Sequence, residues 1–155
     1  MISPEILIRY PFFGGFDDTH IKAIASISQE DQLPNGVTIF YEGKSAASLY
    51  FLVDGCVVLY YVGAGTILEK FQGGIPVGEI NPGEPFGISA VIEPYILTST
   101  ARTAKPSRVV AIEAEPLRNL FKQDQRLAYL MMHKAAKAAL ERLNTARIQL
   151  AAAWA

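Results

Sequence analysis

The sequence contains few of the residues that disulfide-bonded, metal-binding or catalytic proteins require. Its 155 residues include one cysteine, Cys56, which can form no intramolecular disulfide and lies in an apolar run that predicts a small, buried side chain. The two histidines, His20 and His133, have no acidic cluster between them, so we expect no metal site. Neither histidine lies near a Gly-x-Ser-x-Gly elbow, and the glycine-rich stretches complete neither a dinucleotide nor a P-loop fingerprint. We therefore expect a protein that is not an enzyme and needs no cofactor.

Charge and hydropathy exclude further classes of protein. Lys and Arg total 14 against 15 acidic residues, a net charge of -1 that lacks the basic surplus of a protein binding nucleic acid by itself. No apolar run approaches the roughly 18 residues that a membrane span needs, and the sequence starts without the basic residues of a signal peptide. We expect a cytoplasmic protein whose partner is a small molecule or another protein, with no direct contact to nucleic acid or membrane.

Half of the residues are apolar, and the length suits a single domain with one core. Residues 1–155 divide by pattern into an N-terminal helical part (1–30), a β region (31–113) and C-terminal helices (114–155). The apolar stretch from Pro4 to Pro11 predicts a short turn or helix. Asp17 or Asp18 can cap a helix that runs from about Thr19 to Ser28, with its apolar residues on one face.

From Leu33 onward the pattern is that of a β protein. Glycine or proline turns recur about every eight to twelve residues and separate runs of β-branched and aromatic residues, as in an all-β sandwich or roll. Asp54-Gly55 between two such runs predicts a hairpin. The predicted strands are Val37–Tyr41, Leu49–Val53, Cys56–Val62, Ile67–Phe71, Val77–Ile80, Leu97–Thr103 and Arg108–Ile112.

The C-terminal part has helical periodicity. Glu115-Pro116 predicts the start of a short helix to Lys122, and Asp124 can cap a much longer helix that reaches the C-terminus. Apolar residues recur along the long helix at alternating spacings of three and four, and this seam is too long to pack only on the chain's own β region. We expect the helix to pair with that of a second copy in a homodimer. The seam comprises Tyr129, Met132, Ala136, Ala139, Leu143, Ala146 and Leu150.

The stretch between Pro82 and Arg102 is a candidate binding element. A tight turn at Pro82-Gly83 leads to Phe86-Gly87, then to a segment able to start a helical turn and to a hydroxyl-rich strand. Free backbone N–H groups and hydroxyls in such an arrangement can form an anion pocket.

The glycine turns and this stretch together resemble the cyclic-nucleotide-binding domains of the catabolite-activator and protein-kinase regulatory-subunit type. The resemblance covers nearly the whole chain. It implies a mainly β fold, an eight-stranded β-roll (jelly roll or double-stranded β-helix) with an N-terminal helix and a long C-terminal helix, and a non-catalytic regulatory role in signal transduction. It is carried by Tyr10-Pro11-Phe12-Phe13, the segment from Pro34 to Phe40, Glu42-Gly43, the segment from Leu49 to Gly55, and the segment from Pro82 to Gly87.

In that family a phosphate-binding cassette reads Phe-Gly-Glu, then about ten residues, then Arg-Ser-Ala-Thr; the glutamate accepts the ribose 2′-OH and the arginine pairs with the phosphate. Alignment on Phe86-Gly87 puts Ile88 at the glutamate position and Leu97 at the arginine position. Strand alternation would put Leu97 and Ser99 on one face and Thr98 and Arg102 on the other, so Arg102 is not expected to replace the missing arginine. The candidate cassette comprises Phe86, Gly87, Ile88, Ser89, Ala90, Leu97, Thr98 and Ser99.

The resemblance also implies a role for the C-terminal helix, which covers the base in the family. The residues at the corresponding places are Arg142, Asn144 and Arg147. Family members that regulate transcription carry a helix-turn-helix after this helix. Because this sequence stops at Trp154-Ala155, we expect no direct DNA binding from it.

The two cassette replacements both exchange a charged residue for an aliphatic one. A hydrogen bond to a charged group contributes about 1.5–3 kcal/mol, so we expect the affinity for cAMP or cGMP to be poor or absent. The candidate ligand is a cyclic nucleotide or a less charged substitute, and the aliphatic pair could line an apolar site. The alternative is a dimerisation or protein-docking module that has lost nucleotide binding and retains the turn for folding.

Overall fold

The computed structural model describes residues 1–63 and 73–155. Within these residues two antiparallel sheets of four strands each are flanked by helices from both ends of the chain. The helices are α1 (Pro4–Ile8), α2 (Asp18–Ser26), α3 (Ala114–Gln123) and α4 (Gln125–Ala153), with 3₁₀ turns at Pro11–Phe13 and Ile88–Val91. The strands are β1 (Ser28–Leu33), β2 (Thr38–Phe40), β3 (Ser48–Asp54), β4 (Val57–Tyr61), β5 (Ile75–Ile80), β6 (Pro85–Phe86), β7 (Thr100–Thr103) and β8 (Ser107–Glu113).

Successive strands alternate between the two sheets for most of the chain. One sheet has the order β1-β8-β3-β6 and the other the order β2-β7-β4-β5. Each sheet buries one face against the other, which is the two-layer arrangement of a jelly roll. The predicted mainly β roll with flanking helices is therefore confirmed.

The prediction of a hairpin at Asp54-Gly55 is wrong. β3 pairs with β8 and β6, whereas β4 pairs with β7 and β5, so this turn carries the chain from one sheet to the other. Gly55 has a φ of +107°, and a Cβ there would lie 2.2 Å from Ser107 Oγ. A hairpin turn and a turn between sheets both need such a glycine, so the local sequence does not distinguish them.

The same turn explains why the expectation for Cys56 is also wrong. The residue precedes β4 instead of lying within it, and its side chain is half-buried. Its Sγ lies 3.3 Å from Glu79 Oε1 on the neighbouring strand β5, and burial raises the pKa of the thiol, with the Glu79 carboxylate adding to that shift. Cys56 is thus not the buried hydrophobe that its apolar neighbours indicate.

Two strands were missed, and β7 was predicted to begin too early. β1 has the polar sequence Ser-Gln-Glu-Asp-Gln-Leu, yet it pairs with β8 along its whole length at the edge of the sheet. β6 has only two residues, too few to give a periodic pattern. β7 begins at Thr100, three residues later than predicted. The predicted strand Ile67–Phe71 lies outside the described residues.

Both predicted helix caps are confirmed, and they meet at one histidine. Asp17 caps α2 by accepting from the His20 N–H at 2.9 Å, and Asp124 caps α4 by accepting from the Leu127 N–H at 3.1 Å. The buried His20 side chain places Nε2 2.9 Å from Asp124 Oδ2. This contact joins the N-terminal helical part to the start of α4.

The core lies between the sheets and extends under the helices. Phe51 of β3 contacts the N-terminal segment, with its ring centroid 4.8 Å from Tyr10 and 5.2 Å from Phe13. The first turns of α4 are part of the same core. Among the described residues, none of the helices is long and apolar enough to cross a membrane. The largest side chains that are less than 2 % exposed are Phe51, Phe86, Leu7, Ile24, Leu49, Leu52, Ile80, Ile112, Leu117, Leu127, Met131 and Val57.

Candidate functional site

The candidate cassette begins with a tight corner after β6. β6 pairs with β3, so Phe86 lies opposite Tyr50, and Gly87 then adopts the left-handed conformation with a φ of +69°. A Cβ at Gly87 would lie 3.2–3.3 Å from Tyr50, Phe40 and the Ser48 carbonyl oxygen. Backbone conformation and space both require glycine, and the 3₁₀ turn Ile88–Val91 follows directly.

Three aromatic rings, of Phe40, Tyr50 and Phe86, pack together at this corner. The Tyr50 ring centroid lies 5.2 Å from that of Phe86 and 5.6 Å from that of Phe40. Phe86 is fully buried, and burial raises the pKa of the Tyr50 hydroxyl. These rings position the turn but leave its outer side open.

Arg118 of α3 fixes the far end of the turn. Its Nε donates to the Ala90 carbonyl at 2.9 Å and its Nη2 to the Ala46 carbonyl at 3.3 Å, while its guanidinium carbon lies 3.7 Å from the Tyr95 ring centroid. The sequence reasoning did not identify Arg118. No local signal marks it, because its partners are 28 and 72 residues away.

Residues 97–99 approach the turn from the opposite side. The Leu97 N–H donates to the Lys44 carbonyl and the Gly43 N–H to the Leu97 carbonyl, both at 2.8 Å. The chain bends at Thr98 and Ser99 before β7 begins. The expected strand alternation is therefore wrong here, because residues 97–99 lie before β7 and all three of them line the same cavity.

That cavity, which we call the cassette cavity, has a volume of about 330 Å³. Six of the eight predicted cassette residues line it, while Phe86 and Ala90 are fully buried beneath it. Ile88 and Leu97 both contribute to its wall, and Leu97 is only 5 % exposed. The cavity is lined by Phe40, Leu59, Gly87, Ile88, Ser89, Ile92, Leu97, Thr98, Ser99, Ala139 and Arg142.

A second cavity, of about 540 Å³, adjoins the first, and we call it the polar cavity. The two share Leu59, Thr98, Ser99 and Arg142 in their walls. The other residues lining the polar cavity are Val77, Gly78, Glu79, Asn81, Glu84, Glu141, Thr145 and Gln149. One continuous region therefore has an aliphatic end at the turn and a polar end along α4.

α4 covers the cassette cavity with Ala139 and Arg142. The Arg142 Nη2 donates to the Pro85 carbonyl, directly before the cassette corner. Burial lowers the pKa of this guanidinium, and the nearby Glu84 and Glu141 carboxylates act in the opposite direction. Of the three residues predicted to face the ligand from this helix, only Arg142 lines a cavity; Asn144 and Arg147 are exposed and line neither.

Arg102 lies away from both cavities. Its guanidinium carbon is 4.8 Å from the Tyr60 ring centroid, and its Nε lies 3.3 Å from Thr38 Oγ1. It is therefore not available as a partner for a group in the cassette cavity. Within residues 1–63 and 73–155 there is also no cluster of three or more His, Cys, Asp or Glu residues that could hold a metal ion.

The predicted seam runs along α4 beside the residues that face the core, and the domain covers part of it, since Met132 packs against the core and Ala139 lines the cassette cavity. Leu127, Met131 and Ala135 are buried against the rest of the domain, whereas Tyr129, Leu143 and Leu150 are 69 %, 47 % and 62 % exposed. Met132 is half-buried, and the alanines at 136, 139 and 146 are exposed. The helix thus presents apolar side chains at Tyr129, Leu143 and Leu150 that the described part of this chain leaves exposed.

Comparison with known proteins decides the family. The profile of the cyclic nucleotide-binding domain matches residues 30–124, which include the turn, residues 97–99 and all of α3, and the match ends just before α4. The chain belongs to the cyclic nucleotide-binding domain family. The predicted family resemblance is confirmed.

This cyclic nucleotide-binding domain is similar to bacterial proteins. A CRP-like cAMP-activated global transcriptional regulator of Mycobacterium tuberculosis is 29 % identical over 121 residues, covering 74 % of this chain and 49 % of the relative. The chain thus spans about half the length of the curated relatives that it matches.

The fold is also similar to that of solved bacterial protein structures. A protein from Geobacter metallireducens GS-15 named for cyclic nucleotide binding has a TM-score of 0.81 and 40 % identity, over 92 % of this chain and 99 % of that one. The Thermus thermophilus catabolite activator protein has a TM-score of 0.66 and 24 % identity, over 90 % of this chain and 61 % of that one, a likeness of fold alone.

Proposed function

We propose that this cyclic nucleotide-binding domain is a non-catalytic regulatory module that senses a small molecule in the cassette cavity and binds cAMP and cGMP weakly. The observation that carries the proposal is the cavity itself. It lies between the turn after Gly87 and the bend at Thr98 and Ser99, where the family's cassette residues would be, and α4 lies across it through Ala139 and Arg142. A ligand that enters it contacts both the roll and the helix.

Weak binding of cyclic nucleotides follows from the wall of the cavity. Leu97 occupies the position of the phosphate-binding arginine and is buried, so an anion at that wall would lose its hydration without gaining a cationic partner from the strand. Ile88 likewise offers no acceptor to a ribose hydroxyl. The aliphatic pair instead favours a ligand with an apolar body.

Transmission of the signal would use α4. The helix contacts the cassette through Arg142 and the Pro85 carbonyl, and its outer face carries the exposed seam residues. We propose that this face pairs with the same face of a second copy. A ligand that changes the position of α4 on the cassette would then change the geometry of the dimer. This would be a population shift between two arrangements of the dimer.

The proposal is tested by isothermal titration calorimetry of the full chain with cAMP, cGMP, cyclic dinucleotides and adenosine, together with native mass spectrometry for a co-purifying small molecule. We expect weak or no heat from the cyclic nucleotides. Any binding that is found should disappear in Ser99→Trp, which fills the cavity. Tight binding of cAMP or cGMP would contradict the weak binding proposed here, and silence from every compound together with no co-purifying molecule would refute any sensor of nucleotides.

A second candidate function is a ligand-independent dimerisation or docking module. The observation that favours it is the exposed apolar face of α4, which needs no ligand to pair. The two functions differ in one measurable respect, because only in the sensor does filling the cavity with Ser99→Trp change the behaviour of the dimer. Light scattering and hydrogen exchange along α4 with and without that substitution distinguish them.

A further inference from the structure

Arg142 occupies the boundary between the cassette cavity and the polar cavity. It is one of four residues that line both, with Leu59, Thr98 and Ser99. Its guanidinium comes from α4 and reaches the Pro85 carbonyl, and Arg142 and Leu97 both line the cassette cavity. A cation therefore lies at this cavity even though the strand position that should supply one is aliphatic.

The guanidinium of Arg142 uses few of its hydrogen-bond donors. It has five N–H donors, and one bond, to the Pro85 carbonyl, is found within residues 1–63 and 73–155. Within the same residues Arg142 forms no salt bridge with an acidic side chain, whereas Arg108 forms one with Glu30 at 3.3 Å. Arg118, by comparison, has two carbonyl partners and a stacked ring.

Burial of a guanidinium without an ion partner is unfavourable, and the lowered pKa of Arg142 has this desolvation as its main cause. Glu84 and Glu141 are near enough to act in the other direction, but neither forms a direct ion pair with Arg142 among the described residues. An anionic group in the cavity would supply the missing partner.

The neighbouring groups suit such an anion. Thr98 and Ser99 line the same boundary, and within the described residues neither hydroxyl forms a hydrogen bond to the protein. Beyond them the wall of the cassette cavity is mainly apolar and includes Ile88 and Leu97, with Ser89 as a further hydroxyl-bearing residue. Glu79, Glu84 and Glu141 line the polar cavity and would repel negative charge there, so the site favours a ligand with one anionic group held at Arg142 and an apolar body in the cassette cavity.

We propose that Arg142 of α4 is the cationic partner of the ligand and that the ligand is an apolar molecule with a single anionic group, such as a carboxylate. The inference rests on the proposed function, since it assigns a ligand class to the same cavity. It moves the anion contact from the strand to the helix. Ligand binding then replaces or supplements the bond that holds α4 to Pro85.

The test uses two fluorescent probes with the same aromatic body. 1-Anilinonaphthalene-8-sulfonate carries one anionic sulfonate, and N-phenyl-1-naphthylamine carries none. Both are titrated into the full chain and into Arg142→Gln, Arg142→Lys and the control Arg126→Gln, which changes an exposed arginine at the start of α4. Ser99→Trp and Thr98→Trp, two independent substitutions that fill the cavity, identify binding at this site.

We expect Arg142→Gln to weaken the sulfonate probe about tenfold or more, because a charge-assisted bond is lost, and to leave the neutral probe nearly unchanged. Arg142→Lys should keep part of the affinity for the sulfonate, and Arg126→Gln should keep all of it. If the cavity-filling variants abolish binding of both probes but Arg142→Gln affects the two equally or not at all, the role of Arg142 is refuted and the sensor remains. If binding of both probes survives in the cavity-filling variants, or neither probe binds, the cavity itself is refuted as a ligand site, and the proposed function fails with it.

Discussion

Arg118 Nε lies 2.9 Å from the Ala90 carbonyl oxygen and thereby ties α3 to the last part of the cassette turn. The same guanidinium donates to the Ala46 carbonyl at 3.3 Å. Two segments that are 44 residues apart in sequence are thus held by one side chain from a third. The turn is positioned by α3 as well as by its own glycine.

Arg118→Ala should destabilise the domain by about 1–3 kcal/mol, because the Ala90 and Ala46 carbonyls lose a charged donor. Arg118→Lys should recover only part of this, since an ammonium group cannot reproduce the planar fork. Urea unfolding measures the difference, with Lys122→Ala as an exposed control on the same helix. Equal midpoints for Arg118→Ala and Lys122→Ala would show that the contact contributes nothing to stability.

Gly87→Ala should cost more stability than Gly36→Ala. Both glycines have positive φ, so each substitution carries a backbone penalty of about 1–2 kcal/mol. At Gly36 the added Cβ meets open space, whereas at Gly87 it would press on Tyr50, Phe40 and the Ser48 carbonyl. Chemical denaturation of the pair should show an extra cost of about 1–3 kcal/mol at Gly87; equal costs would mean that the rings under the turn move aside freely.

Ile88→Glu combined with Leu97→Arg should create or strengthen cAMP binding. Each replacement restores one charged hydrogen-bonding partner, worth about 1.5–3 kcal/mol, so the gain should reach at least about tenfold. Calorimetry on the double variant and on each single variant measures it. A double variant that folds, as judged by circular dichroism, yet gains no affinity would show that residues 88 and 97 are not the cassette positions.

Leu143→Glu with Leu150→Glu should abolish dimerisation through α4, because charged groups would face each other across the seam. Ile148→Glu is the matched control, since Ile148 is 62 % exposed on the same helix but does not belong to the seam. Multi-angle light scattering reports the mass of each protein. These substitutions test the seam better than removal of α4 by ending the chain near Arg126. Removal would also take away the core residues Leu127, Met131 and Ala135. A monomeric parent protein would refute the seam as an interface.

Asp124→Asn should reduce stability at neutral pH but not in strong acid. The Leu127 N–H, followed by the His20 contact, lowers the pKa of the Asp124 carboxyl in the folded state. A lowered folded pKa stabilises the protein above the unfolded pKa of about 4, and this contribution is lost as the pH falls through the folded value. Unfolding of both proteins between about pH 2 and pH 7 measures the difference, with the exposed Asp18→Asn as control; a difference independent of pH would contradict it.

Much of the fold was predictable because its signals are local. The turns between Leu33 and Glu113 predict short strands, and Asp17 and Asp124 are recognisable caps because a capping side chain bonds to residues three positions away. β1 was missed because an edge strand needs little apolar pattern. The hairpin at Asp54-Gly55 was wrong because the choice between one sheet and two depends on strands β7 and β8, far along the chain.

The candidate site divides in the same way. The sequence alone, through the family resemblance, predicts that the cassette begins at Phe86-Gly87 and that the aliphatic Ile88 and Leu97 stand where the family has charges, since these predictions depend only on residue identity and order. Only the tertiary structure decided that Leu97, Thr98 and Ser99 line one cavity, that Arg118 holds the turn and that Arg142, of the three α4 residues predicted, reaches the cavity. Those contacts join elements distant in sequence, and packing of the whole domain sets them.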